Sequence, residues 1–272
     1  MASRLRFEER NTLLHRLNPV MKLCALTLLV VGIMVYPSWR LSALVLVLIL
    51  TCFYLSHTSL NVTRGRTKFV LTFSMLMFLV QIIVTANGST IFYLMPQLGS
   101  FGPFLPATDF GLERGLTITV RFLLIVFSSM LFISVTDPTL LAYSLARVGI
   151  PYRYAFSLVI ALRFLPLFES ENNIVRMAQQ SRGISLEVGS IHKVLRSVRF
   201  TFFPLLVSAL SRVESLALSM AGRGFGYSDR RTYMRTTHWS VGDWAVLCLS
   251  IGFAVFCFAL GFGFLPQISE FL

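Results

Sequence analysis

The 272-residue chain is predicted to be an all-α membrane protein. About five transmembrane helices are expected, with a cytoplasmic layer of three amphipathic helices. Three observations lead there. The composition is 55% hydrophobic and 13% charged, with a mean hydropathy of +0.73, whereas a soluble domain carries about 25% charged residues. Lysine and arginine are concentrated in three places: 5 in the first 22 residues, 3 between Thr63 and Lys68, and 13 from 137 to 240, leaving only Arg40, Arg114 and Arg121 elsewhere. Two long amphipathic segments each end in an Arg-Gly pair, Arg182-Gly183 and Arg223-Gly224.

The first span is expected from about Val20 to Tyr36. Its Arg-rich start resembles a signal peptide, but no small-residue cleavage site follows, so the segment reads as retained. Pro37-Ser38-Trp39-Arg40 marks a tight external turn, with Trp39 at headgroup depth. The second span runs from Leu41 to about Leu55 and the third from Phe69 to Asn87. Gly88 to Glu113 is apolar but broken by Pro96, Pro103 and Pro106. It reads as an external loop lying on the membrane, with a re-entrant segment as the alternative. The fourth span covers about Leu116 to Val135, where Arg121 has to snorkel outward or pair with Glu113. The last runs from Val241 to Phe264. The asymmetry of positive charge predicts a cytoplasmic N-terminus and an external C-terminus. The expected organisation is a membrane domain over 1–136, a cytoplasmic or interfacial region over 137–239, and a last transmembrane helix over 240–272.

Asp137-Pro138 opens a short helix to about Val148. A second helix runs from about Arg153 to Arg182, with Phe164, Leu167, Phe168, Ile174, Val175 and Ala178 on one face. Asn172, Asn173, Arg176, Gln179 and Gln180 form the other. A third starts near Ser190 and ends at Arg223-Gly224. Its apolar stripe includes Leu206, Leu210, Val213 and Ala217, and Ser208, Ser211, Arg212, Ser215 and Ser219 lie opposite. Gly183 suits the left-handed position that stops a helix. Pro166 and Pro204 are expected to kink these helices.

Several function classes are excluded or weakened. A net charge of +12 in so apolar a chain fits loops held against anionic lipid better than nucleic acid, which requires a basic polar domain. Cys24, Cys52, Cys248 and Cys257 sit in apolar runs without a C-x-x-C spacing. The four histidines show no ligand spacing, so no metal site and no cofactor is expected. No G-x-x-x-x-G-K-[ST] phosphate loop is present. Gly222-Arg-Gly-Phe-Gly226 ends a helix where a phosphate loop begins one. No catalytic constellation is found, and the chain is expected not to be an enzyme.

An arginine in a last helical turn complements the helix dipole, and glycine after it is a common stop. Two copies on one basic region point further, to guanidinium groups presented to acidic grooves of partners. Here the chain resembles the transmembrane T component of energy-coupling factor transporters, the family that includes the cobalt-transport permeases. The resemblance rests on Leu14-His-Arg-Leu-Asn-Pro-Val-Met-Lys-Leu23, Ile150-Pro151 and Leu162-Arg-Phe-Leu-Pro166. It continues through Ala178-Gln-Gln-Ser-Arg-Gly183, Pro204-Leu205 and Ala221-Gly-Arg-Gly-Phe225. It covers most of the chain and is weakest over 88–113. The family pattern is Ala-Arg-Gly, so Ser181 and Gly222 stand where alanines are usual. The resemblance implies a non-catalytic, energy-transducing subunit of an importer in the cell membrane. Ser181, Arg182 and Gly183 are expected to dock one ABC-type ATPase, and Gly222, Arg223 and Gly224 another. ATP is bound by those partners. The face carrying Leu206, Leu210, Val213 and Ala217 is expected to pass their motion to a membrane substrate-binding subunit for a vitamin or a transition metal. Two rivals are a self-contained secondary transporter, which calls for inverted repeats and broken spans, and a membrane scaffold.

Overall fold

The computed structural model describes residues 12–56, 64–85, 88–95, 104–183, 191–227 and 239–264. The sequence expectations for 96–103 and for the basic stretch 228–238 lie outside these residues. The elements are α1 (Leu13–Arg16), α2 (Pro19–Val35), α3 (Trp39–Leu55), α4 (Arg64–Val84), β1 (Thr90–Met95), β2 (Phe104–Thr108), α5 (Asp109–Val135), α6 (Pro138–Val148), α7 (Tyr152–Ser181), α8 (Ile191–Gly222) and α9 (Val241–Gly261). The chain divides into two compact units, Met1–Ser144 with Thr237–Leu272, and Leu145–Thr236. The protein is an α-helical membrane protein, with one short β-ribbon that the sequence did not reveal.

The first unit is a bundle of α2, α3, α4, α5 and α9. Thr67–Val84, Asp109–Val135 and Val241–Gly261 are long and apolar enough to cross a membrane. So, by the same measure, is Val198–Gly222 in α8, discussed with the second unit. Helices α2 and α3 have 17 residues each, about 26 Å at 1.5 Å per residue.

Helix sense follows from the contacts. Asn18 at the start of α2 meets Asp243 at the start of α9, and a Cβ on Gly261 would lie 2.8 Å from Val35 Cγ1 at their ends. The two helices are therefore parallel. In contrast, α4 and α5 are antiparallel: Thr108 Oγ1 donates to Thr85 O at 3.1 Å, Gly115 lies against Phe78 and Phe122 against Phe73. Ile33, Val45, Ile49 and Leu124 form the buried centre of α2, α3 and α5.

Lipid is as apolar as leucine, so close approach rather than hydrophobicity selects the helix faces that meet. Small residues make that approach here. Ser42, Ser74, Ser128 and Ser250 are buried, and each returns its hydroxyl to a carbonyl of its own helix, three or four residues back. At Gly32 an added Cβ would touch Ala254 Cα and Cys257 at 3.4 Å.

The helix ends meeting at one side of the bundle are joined by polar groups. Asn18 caps α2, accepting from Val20 N at 3.1 Å. Asp243, fully buried, accepts from Asn18 N at 2.7 Å and from Ser240 N at 2.8 Å. Lys22 Nζ donates to Val135 O, the last carbonyl of α5, at 3.2 Å and to His15 O at 3.4 Å. The spacing Ser240-x-x-Asp243 is a capping box, and it was the available sequence signal for this clasp.

Two expectations are corrected, and one of the two alternatives for Arg121 is dropped. The stretch 88–113 is not simply a loop. Residues 90–95 and 104–108 pair as an antiparallel ribbon, with Thr90 opposite Thr108 and Met95 opposite Phe104. Helix α5 then starts at Asp109, earlier than the expected Leu116, because Thr108 Oγ1 accepts from Gly111 N at 3.0 Å and Asp109 places a carboxylate in the first turn. Arg121 does not pair with Glu113: its Nε and Nη2 atoms are buried without a hydrogen-bond partner.

Packing at Gly261 is tight against the α2 backbone as well, at 3.3 Å from Val35 O to the added Cβ. Gly261→Ala is expected to cost about 1–3 kcal/mol through overpacking, read as a lower unfolding midpoint in detergent. Gly252→Ala, with nothing within 4 Å of the new Cβ, is the control. It is expected to leave the midpoint unchanged or raise it, since alanine favours the helix by about 0.5–1 kcal/mol. Equal loss in both variants contradicts the packing assignment.

Candidate functional site: the α7–α8 pair

Within the second unit α7 and α8 pack antiparallel. Glu171 meets Ser208 and Arg212, while eight residues further along α7 Gln179 meets Phe200. Advancing along one helix thus retreats along the other. Past the end of α8, Phe225 packs on Tyr152 and Phe156, with ring centroids 6.0 and 4.8 Å away. The C-terminal end of α8 therefore lies at the N-terminal end of α7. With α7 30 residues long, Arg182 and Arg223 stand at opposite ends of the pair, on the order of 40 Å apart at 1.5 Å per residue.

Both arginines occupy the residue between the last helical turn and a left-handed glycine. Gly183 has φ +76° and Gly224 φ +69°. At the end of α8, Gly224 N donates to Ala221 O at 3.0 Å and Phe225 N to Met220 O at 3.0 Å, the paired bonds that satisfy terminal carbonyls when a left-handed residue follows a helix. At the end of α7, Gly183 N donates to Gln180 O at 2.9 Å. A Cβ at either glycine meets nothing within 4 Å, so the constraint is the backbone angle and not space. Gly222 stays helical, and its substitution for alanine does not end α8 early.

Ser181, Arg182, Gly183, Gly222, Arg223 and Gly224 are all exposed. Neither guanidinium makes an ion pair or hydrogen bond with another described residue. Ser181 Oγ donates back to Met177 O of its own helix at 3.0 Å. The two motifs are not brought together by the fold; they are held apart by it.

Polar contacts join the two helices. Glu171 accepts from Ser208 Oγ, and its Oε2 lies 3.4 Å from Arg212 Nε. Gln179 is 7% exposed, although the sequence reading put it on the outer polar side. Conversely, Leu206, Leu210, Val213 and Ala217 are exposed, Leu210 at 60% and Val213 at 55%. Ile174 is 60% exposed as well. Ser208 and Arg212 of α8 meet α7, whereas Ser211, Ser215 and Ser219 are exposed along with Leu206, Leu210, Val213 and Ala217.

Glu171 and Gln179 were missed as seam residues. The open groove at Pro204, of about 720 Å³, is lined by Phe203, Val207, Ser208, Ser211 and Arg212. It runs along the outer side of this seam. No group of three or more metal-ligating side chains occurs among the described residues.

The Ser208 hydroxyl, and then Arg212, hold the Glu171 carboxyl below its ordinary 4.5, against an opposing contribution from burial. A carboxylate with a lowered folded-state pKa stabilises fully above its unfolded value and loses that stabilisation as pH falls through the folded one. Protease protection of α7 and α8 is therefore expected to be flat from pH 7 down to 4.5 and to fall below it. In Glu171→Gln that acid loss is expected to be smaller, from a lower starting protection. An acid response identical to that of the unaltered chain contradicts the seam.

The description "Cobalt transport protein" belongs to the family whose model matches residues 10–234. Curated relatives carry the name energy-coupling factor transporter transmembrane protein EcfT. That of Streptococcus equi subsp. equi is 27% identical over 263 residues, 94% of this chain and 95% of the relative. EcfT 1 of Listeria monocytogenes serotype 1/2a is 29% identical over 254 residues, 90% and 92% of the two chains. That of Macrococcus caseolyticus is 28% identical over 246 residues, 88% and 90%. The match runs from α1 to beyond the second Arg-Gly turn, and so takes in α2 to α5 of the bundle and the α7–α8 pair. The chain belongs to the CbiQ family of cobalt transport proteins, which are the transmembrane T components of energy-coupling factor transporters.

Proposed function

We propose that this chain is the energy-transducing membrane subunit of an ATP-driven importer, joining two ABC-type ATPases to a membrane substrate-binding subunit for a vitamin or a transition metal. The observation that carries this reading is the α7–α8 pair. Two exposed arginines without described partners, each fixed by a left-handed glycine turn, stand at the two ends of one antiparallel unit. Two separated docking points suit two partner subunits. An outward apolar stripe between them suits a membrane-embedded partner.

The region 137–239 is assigned as this coupling layer, on the cytoplasmic side with the N-terminus, and 1–136 with 240–272 as the membrane part. The spanning length of Val198–Gly222 in α8 does not require a sixth crossing. Glu214, Ser211 and Ser215 are exposed there beside Arg212, and lipid solvates such a stripe poorly. The chain itself is read as non-catalytic, with ATP bound and hydrolysed by its partners.

Removing one side of a desolvated charge pair costs about 2–5 kcal/mol, which is about 30-fold to several-thousand-fold in affinity. Arg182→Ala and Arg223→Ala are each expected to weaken copurification of one ATPase by that factor, and the double variant to lose both. Lysine is expected to rescue poorly, because it lacks the planar fork. A simple helix-cap role predicts a loss of at most about 1 kcal/mol and full rescue by lysine. Retention of both ATPases by the double alanine variant refutes the docking assignment.

Orientation is tested in a cysteine-free background. A cysteine at Thr67 is expected to resist an impermeant thiol reagent in intact cells, and one at Ser89, beside the exposed start of the ribbon, to react. The opposite pattern inverts the proposed topology.

A further inference from the structure

Proline at position 204 lies inside α8. It has no N–H, so the carbonyl four residues earlier, Phe200 O, loses its regular helical donor, and the ring pushes against that carbonyl. Such a break is ordinarily a hinge, at which the two halves of a helix tilt separately.

Here the carbonyl accepts from Gln179 Nε2, across the seam, at 3.3 Å. Gln179 is buried at 7% exposure, where an amide without a partner is costly. Each group thus answers the other's need. Gln179 also belongs to the last turn of α7: its own carbonyl accepts from Arg182 N at 3.1 Å. One residue therefore holds the backbone that presents the first docking arginine and, through its side chain, the proline break of the neighbouring helix. The other joints of the pair lie elsewhere, at Glu171 with Ser208 and Arg212, and at Phe225 with Tyr152 and Phe156. Neither reaches the Phe200 carbonyl.

We propose that Gln179 is a positioning residue that clips the Pro204 break of α8 to the Arg182 end of α7, so that a displacement at the first docking point moves α8 directly. The proposal rests on the coupling reading for its purpose, but the clip itself is a property of this chain.

The test is a double-mutant cycle on the full chain with its ATPases bound, read by hydrogen exchange of the amides at 201–203 and 205–208. With Pro204 present, Gln179→Ala is expected to speed exchange about five- to tenfold, the effect of losing roughly one buried hydrogen bond. In the Pro204→Ala background the new N–H closes on Phe200 O within the helix, and the same Gln179→Ala change is expected to alter exchange less than about twofold. Both ATPases are expected to remain bound to Gln179→Ala, since both docking arginines are intact. An equal increase in the two backgrounds, or none in either, overturns the clip. Loss of an ATPase from Gln179→Ala overturns it as well, because Gln179 is then part of the docking surface itself. Failure of the coupling reading shows separately, as retention of both ATPases by the double arginine variant, and leaves the cycle interpretable.

Discussion

The helical pair depends on a polar seam centred on Glu171. A carboxylate on α7 receives a hydroxyl from Ser208 and an ion pair from Arg212 on α8, and Gln179 adds a second polar joint two turns away. Ser208 and Arg212 turn toward α7, while Leu206, Leu210, Val213 and Ala217 are exposed. In water this arrangement is unfavourable by the hydrophobic effect. It is stable where lipid or an apolar partner covers the outer face, and the polar contacts then become the specific ones, since nothing apolar distinguishes inside from outside.

The same constraint organises the membrane bundle. Helix α2 meets α9 through Gly32 and Gly261, and buried serines line the other contacts. The polar atoms that remain are gathered at helix ends, where backbone groups need partners. Asp243 serves the start of α9 and the start of α2 together, and Lys22 serves the end of α5. Because these ends meet on one side, α2 and α9 run in the same direction and α5 runs against them.

The two Arg-Gly turns are alike in local structure and different in support. Both use a left-handed glycine in open space. The turn after α8 is continued by Phe225, which is anchored on Tyr152 and Phe156. The turn after α7 is instead anchored one turn earlier, by Gln179 on the Phe200 carbonyl. The turn that carries each arginine is thereby tied to the other helix of the pair, by an aromatic contact at one end and by a hydrogen bond at the proline break at the other.

The sequence by itself determined the class of the protein, its apolar helices and the stops of α7 and α8. These are local matters. Apolar length reports a membrane helix, and glycine after arginine reports a helix stop. The family signature was equally legible, because its motifs are short and contiguous. Only the tertiary structure decided which face of each amphipathic helix turns inward. Periodicity shows that α8 has an apolar and a polar side, but not whether lipid, water or protein meets each one. It also decided the ribbon over 90–95 and 104–108, whose prolines and glycines read as loop until the strands are paired, and the early start of α5 at Thr108. The distant partners of Gln179 and Asp243 were likewise not legible, since they lie 21 and 225 residues away. A side chain's hydrogen-bonding needs are written in the sequence, but the group that meets them is chosen by the packing of helices distant along the chain.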